Sequence, residues 1–228
     1  MKHLKTPIKT LSAQRPIYLA GLVFTLTLTL ALTLPHSAKA QTQAQPSGHE
    51  ISNAGLGFSY HLPSGWEELS PMLLAMYNAA VNSMSQSQGS PYMVAAYSNK
   101  GSQMIPPIVM MHYLEQPISA DMITPYNNLF MEEAKDIEGK TALAKKLGLA
   151  NEIRFIETRS LRPGTPIAVV EADSTFGFTV TVMASPYYFK HGMLVLSYFA
   201  PKNDFPLFEE EMLTFFKNIT IDQDQLPN

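Results

Sequence analysis

Residues 193–200, Met193-Leu194-Val195-Leu196-Ser197-Tyr198-Phe199-Ala200, are apolar at almost every position. A strand with one face in water alternates apolar and polar side chains, because successive residues point to opposite sides of the sheet. An almost uninterrupted run must be covered on both faces, which calls for helices on each side of a sheet. That one segment removes every architecture in which the central sheet keeps a wet face.

The same test sorts the other β-rich runs. Residues 152–162 alternate charged and apolar side chains (Arg154, Ile156 and Thr158 against Phe155, Glu157 and Arg159), as a half-exposed strand does. Leu56, Phe58, Tyr60 and Leu62 alternate with Gly57, Ser59 and His61, and Pro63-Ser64-Gly65 then turns the chain into Trp66. Further β-rich runs lie at 92–97, 108–114, 153–161, 167–172 and 178–183. Asn99-Lys100-Gly101-Ser102 and His191-Gly192 are turn sequences between neighbours.

Helices to cover the sheet are present. Ser70 and Pro71 form a start signal before Leu73, Met76, Tyr77, Ala80, Val81 and Met84, which repeat at helical spacing. Thr124-Pro125 opens a second helix through Leu129, Phe130, Ala134 and Ile137, with Gly139 as its stop and a short helix at 141–147 after it. In the last helix Phe205, Phe208, Met212, Phe215, Phe216 and Ile219 make one apolar stripe. Glu209, Glu210 and Glu211 lie near its start and Lys217 near its end, as the helix dipole favours. The expected fold is α+β: an α/β/α sandwich with a central, mostly antiparallel twisted sheet flanked by helices on both faces.

Two stretches carry a family resemblance. Phe58-Ser59-Tyr60-His61-Leu62-Pro63-Ser64-Gly65-Trp66 resembles the opening of the PsbP-like proteins. Tyr188-Phe189-Lys190-His191-Gly192-Met193-Leu194-Val195-Leu196-Ser197-Tyr198, followed by Ala200-Pro201, Phe205 and Phe216, is similar to that family's last hairpin and final helix. The resemblance implies the same α/β/α sandwich. It also implies a binding or assembly role, since the family comprises extrinsic photosystem II subunits, bacterial periplasmic and lipoprotein relatives, and nuclear relatives that bind a small GTPase, with no shared catalytic residues. A shared fold transfers a class of role and no particular site.

The ends of the chain supply an address. Residues 1–16 are basic, residues 17–34 are apolar, and Pro35-His36-Ser37-Ala38-Lys39-Ala40 follows with small residues at 38 and 40. That order is a secretory signal, with cleavage expected between Ala40 and Gln41; an uncleaved anchor is the alternative. Residues 41–54 read as a flexible leader, 55–222 as a single domain and 223–228 as a short tail. The product is then expected to be periplasmic or secreted, touching a membrane only through the signal segment if that stays attached. The chain has no Cys, which excludes disulfides, thiolate metal sites and a lipidated N-terminal Cys. Residues 1–40 hold five of the 16 basic residues and no acidic one. The remainder thus sets 11 basic against 19 acidic residues, a poor match for nucleic acid.

Chemistry is sparse. The chain has no nucleophile elbow, P-loop or zincin motif. Met110 and His112 share a strand face and, in a chain with 13 Met, offer a Cu(I) site; gap-filling core Met is the plainer reading. Lys140, Lys145 and Lys146 make either a basic spot or a solvated helix face. Trp66 is a core anchor or a ligand platform, and Arg154 and Arg159 are anion ligands or edge protection. Tyr187 and Tyr188 follow Pro186, which is expected to turn the strand outward and leave both rings for a partner. The function expected is an exported, non-enzymatic binding or accessory protein working through an envelope protein or small ligand, with no cofactor. Alternatives are a hydrolase or transferase with an unrecognised carboxylate or Ser/His site, and a copper handler.

Overall fold

The computed structural model describes residues 50–72, 74–75, 78–79, 91–99, 106–146 and 148–228. Seven strands form the main sheet: β3 (Trp66–Glu68), β4 (Tyr92–Asn99), β5 (Ile108–Glu115), β6 (Ala150–Arg162), β7 (Thr165–Ser174), β8 (Thr179–Phe189) and β9 (Gly192–Pro201). Their order is β3-β4-β5-β9-β8-β7-β6, and every neighbouring pair is antiparallel. A second, three-stranded sheet joins β1 (Glu50–Asn53), β2 (Phe58–His61) and β10 (Thr220–Ile221) in the order β1-β2-β10. The helices are α1 (Ile123–Lys135), α2 (Ile137–Lys146) and α3 (Phe205–Lys217). Residues 71–72, 74–75 and 78–79 are also helical, where the Ser70-Pro71 signal starts a helix.

β9 lies at the centre of the sheet, and all its residues but Pro201 are buried, as its apolar run requires. One face of the sheet, with Met110, Val170, Val182 and Val195, packs against Phe130 and Ala134 of α1 and Ala144 of α2. The other, with Met111, Val169, Met183 and Leu196, packs against Met212, Phe215 and Phe216 of α3 and Phe58 and Tyr60 of β2. The fold is therefore the expected sandwich, with the small sheet sharing the third layer with α3. The alternating run at 56–62 does form a strand, but in this second sheet. It curls over the core because Phe58 and Tyr60 bury against Phe189 and Phe215.

Three boundaries move. Residues 50–53, assigned to the leader, pair as β1 with β2. The tail at 223–228 is folded: Lys190 donates its N–H to the Gln225 carbonyl (2.8 Å) and Ala120 to that of Asn228 (2.9 Å). The helix expected to stop at Gly139 breaks instead at Asp136, whose ψ of 78° leaves the helical region. Lys140, one candidate for a basic spot, is buried and donates to the carbonyls of Glu133 and Asp136, the latter at 3.2 Å. It closes the C-terminus of α1, where free carbonyls carry partial negative charge. Burial pulls its pKa below the usual lysine value. The signal segment, the cleavage site at Ala40 and Gln41, and most of the leader lie outside the described residues. Among the described residues no helix is long and apolar enough to cross a membrane.

Gly192 is fixed by close approach and not by its φ angle. A Cβ there would lie 2.3 Å from the Tyr113 ring and 2.5 Å from the Leu114 carbonyl oxygen. Gly192→Ala is expected to push the β8–β9 hairpin off β5 at a cost of about 1–3 kcal/mol, the usual range for overpacking. A chemical denaturation curve reads this directly, and an unchanged midpoint would contradict the close approach.

Candidate functional site

Tyr187 and Tyr188 do not form a surface. Pro186 sits inside β8, paired with Val195 of β9, and the strand runs straight on to Phe189. The ladder between β7 and β8 ends at Ala168 and Ala184, and its register continued one pair on the same phase brings Pro166 opposite Pro186. Neither proline has an N–H, so the ladder stops there without stranding a donor. Ser185 closes the gap by donating its hydroxyl to the Pro166 carbonyl at 2.9 Å. Beyond it the two tyrosines enter opposite cores. Tyr187 is 2% exposed, donates to the Phe216 carbonyl in the last turn of α3, and lies under the Arg162 guanidinium. Tyr188 stacks on Tyr126 and donates to Asn127 Oδ1 at 2.9 Å. Burial raises both phenol pKa values.

Trp66 is likewise a core residue. It is 3% exposed, packs edge-on against Tyr198 and Phe208, and donates its indole N–H to Glu211 Oε1 at 2.5 Å. A ligand has no access to that ring.

The arginines are taken by carboxylates. Arg154 forks onto both oxygens of Asp173 (2.6 and 2.8 Å), with Glu152 at 3.2 Å and Glu171 at 3.6 Å. Lys202 holds Glu171 at 3.0 Å, and Thr179 donates to Asp173 at 2.7 Å. These contacts depress the Asp173 carboxyl to about 2, chiefly through the Arg154 hydrogen bond. Arg159 bonds Glu157 beside it and Glu209 on α3, tying that helix to the edge strand. Both side chains thus serve β6, which carries three register shifts along an open edge. Bulges and charges of this kind discourage pairing with another strand. One of the strand's amides, that of Ile153, is covered by Thr141 Oγ1 of α2 at 3.1 Å.

Met110 and His112 share a face of β5, as strand alternation requires, and are 0% and 1% exposed. Met93 and Val195 flank His112 across the neighbouring strands. Burial lowers the imidazole pKa to about 4, so the ring is neutral at pH 7. Among the described residues no group of three or more His, Asp or Glu is placed to hold a metal ion.

What the sequence reading missed lies at the other end of β8. Between β7 and β8 the chain turns through Thr175-Phe176-Gly177, and Phe176 is 63% exposed at the tip. The tip is tightly held. Phe176 donates its N–H to Ser174 Oγ (3.0 Å) and Gly177 to the Ser174 carbonyl (3.2 Å). Thr175 donates from its N–H to the Leu149 carbonyl (3.2 Å) and from its hydroxyl to that of Gly148 (2.8 Å). Gly177 supplies the positive φ, 86°, that the turn needs. The hairpin is thus bonded to the turn that ends α2, just past exposed Lys145 and Lys146. Lys202 donates its N–H to the Thr179 carbonyl (2.9 Å), which brings the start of α3 to the same end of the sheet. Leu207 there is 73% exposed. The signal was present in the sequence: Ser-Thr-Phe-Gly between two β-rich runs places an aromatic in a turn, where no core requires it.

No protein-family model matches the chain, and no curated protein does. Solved structures do. The chain is similar to cyanobacterial PsbP (CyanoP) from Synechocystis sp. PCC 6803, with 13% identity, a TM-score of 0.44, and 82% of this chain and 98% of that one covered. It is similar to the Ran-binding protein Mog1p of Saccharomyces cerevisiae, with 10% identity, a TM-score of 0.42, and 78% and 96% covered. LpqN of Mycobacterium tuberculosis, involved in cell envelope biogenesis, follows at 13% identity and a TM-score of 0.40, with 79% and 87% covered. These structures are of the PsbP-like kind that the two end motifs resemble.

Proposed function

We propose that this chain is an exported, non-enzymatic binding or accessory protein of the cell envelope, making its contact at the end of the main sheet where Phe176 and Leu207 stand out. The observation that carries this reading is the exposure of those two large apolar side chains, 63% and 73%, on firmly bonded backbone. Isolated surface apolar residues are common. Here two flank one end of one sheet, and the tip that carries Phe176 is anchored by four hydrogen bonds to its surroundings and itself. Export rests on the basic, apolar and small-residue segments in succession over residues 1–40. His112 is buried and neutral, and Asp173 and Glu171 sit in ion pairs.

Two measurements check the reading. The intact mass of the exported protein is expected to correspond to a chain beginning at Gln41; a full-length chain extracted from the membrane would overturn the processing. A photo-crosslinking residue placed at 176 or at 207 in the native envelope is expected to give a discrete adduct. The same residue at 217, on the exposed far end of α3, is expected to give none. Equal labelling at all three positions, or none at any, would remove the proposed contact end.

A further inference from the structure

We infer that residues 222–228 form a strap that ties the two outer layers of the sandwich together round the end of the main sheet, and that it lets go as a unit. This end lies opposite Phe176, away from the contact proposed there. The strap begins where the ladder of β10 with β2 stops, at Ile221. Asp222 donates its N–H to the Gly57 carbonyl (3.0 Å), in the turn between β1 and β2. A short 3₁₀ turn at Gln223–Gln225 then carries the chain to the β8–β9 turn, where the Gln225 carbonyl accepts from Lys190 (2.8 Å). The Asn228 carbonyl completes the path by accepting from Ala120 (2.9 Å). Gly57 belongs to the layer of α3 and the small sheet, Lys190 to the main sheet, and Ala120 to the start of the α1 layer.

The bond to Ala120 serves the helix behind it. Ala120 opens a 3₁₀ turn, Ala120–Met122, that runs straight into α1. The first N–H groups of a helix have no partner inside it and need a cap. Ser119 stands at the capping position, but its hydroxyl goes to Asp121 and makes no cap bond. Met122, at the start of α1, has no side-chain oxygen to offer. Asn228, distant in the chain, thus supplies an acceptor that the local sequence withholds.

The fastening at the other end is equally specific. Gly57 has a φ of 69°, and a Cβ there would lie 2.3 Å from Gln225 Cγ and 3.3 Å from Asp222 Oδ2, so the strap is seated where a side chain would stand. Yet it buries little: Asp222, Gln223, Asp224, Leu226 and Asn228 are exposed, and Gln225 and Pro227 are half-buried. A segment with few buried apolar contacts opens at far lower cost than the whole fold. The Gln225 N–H is bonded to the Asp222 carbonyl (2.9 Å) and that of Leu226 to Gln223 (3.3 Å), which makes residues 222–226 one piece. Losing either fastening therefore loosens the other. A change at the turn after β1 is in this way felt at the start of α1, on the far face of the sheet, through one two-state element that both ends bias.

Residue-resolved hydrogen exchange at the Ala120 and Lys190 amides tests the strap. Deletion of residues 226–228 removes the Asn228 carbonyl, and Gly57→Ala drives a Cβ into Gln225 at the other end. Both amides are expected to exchange about tenfold faster in each variant, the factor that losing one hydrogen bond's worth of closure gives. The Leu196 amide, in the middle of β9, is expected to change only as far as overall stability does. Alanine at a positive φ is strained whatever the strap does, so a second variant separates the two effects. Gly57→Ala with Gln225→Ala keeps that strain, removes the clashing Cγ, and is expected to return both amides to the wild-type rate. Faster exchange at Lys190 alone in Gly57→Ala, or at Ala120 alone in the deletion, overturns release as a unit. Unchanged exchange at both amides overturns the strap, as does acceleration that Leu196 shares in full or a double variant that fails to recover.

Discussion

The double substitution Tyr187→Ala, Tyr188→Ala is expected to leave little folded protein at room temperature. The two rings lie on opposite faces of the sheet, Tyr187 in the core under α3 and Tyr188 in the core under α1. Each truncation therefore opens its own cavity, and with no shared partner the two costs add. A buried large aromatic cut to Ala costs about 3–5 kcal/mol, so the pair costs about 6–10 kcal/mol. A domain of this size is stabilised by about 5–15 kcal/mol in total. Tyr187→Ala also removes the hydroxyl that donates to the Phe216 carbonyl at the end of α3. Urea denaturation followed by circular dichroism measures the loss. A double variant that melts within a few degrees of the wild type would place the tyrosines on the surface after all. Tyr188→Phe, which keeps the ring and drops only the bond to Asn127, is expected to cost about 1 kcal/mol.

The second large effect is a loss of stability in mild acid centred on His112. Its ring is fully buried and burial lowers its pKa from 6.5 to about 4. Between those two values the unfolded chain binds a proton there and the native chain does not. Stability accordingly rises with pH across that window and falls as pH drops from 6.5 towards 4. A gap of this size corresponds to about 3 kcal/mol by pH 4. The other two described histidines, His61 and His191, are exposed. Asp173, depressed to about 2 by Arg154, acts at lower pH: its contribution is complete above its ordinary value of 3.8 and is lost between 3.8 and 2. The midpoint of urea denaturation is thus expected to slide between pH 6.5 and 4 in the wild type. In His112→Met, which fills the site beside Met93 with another apolar side chain, that slide is expected to flatten. An equal slide in both proteins would assign the effect to another group.

The tyrosine pair and His112 mark where the sequence is legible and where it is not. The run at 193–200 determined that β9 is covered on both faces, because one strand's side chains report what lies on both sides of it; its central place in the sheet came from the pairing. The stripe from Phe205 to Phe216 determined α3 and its buried face, since helical spacing and core demand coincide there. The charged alternation at 152–162 determined that β6 is half-exposed; that it stands at an edge came from the strand order. Even the Met110 and His112 pairing on one face follows from strand period alone. Each of these is a local signal, written within a dozen residues.

What only the tertiary structure decided is who meets whom. Pro186 looked like an outward turn because a proline inside a strand ordinarily strands its neighbour's acceptor. Only the structure shows that the ladder with β7 has ended by Ala184, so that the strand can run on beside β9 and bury both tyrosines. Arg154 and Arg159 looked available because their partners, Asp173 and Glu209, are 19 and 50 positions away. Lys140 looked like part of a surface because nothing in its own sequence shows that Asp136 breaks the helix and leaves carbonyls for it to close. Phe176 is legible in the sequence as a turn aromatic, but the bonds that hold its hairpin to Gly148 and bring the start of α3 to the same end of the sheet are decided by the structure. Periodicity fixes which side of an element is buried. The partner of a polar group, and hence whether that group is spent or free, is set by pairing between distant segments, which no local pattern encodes.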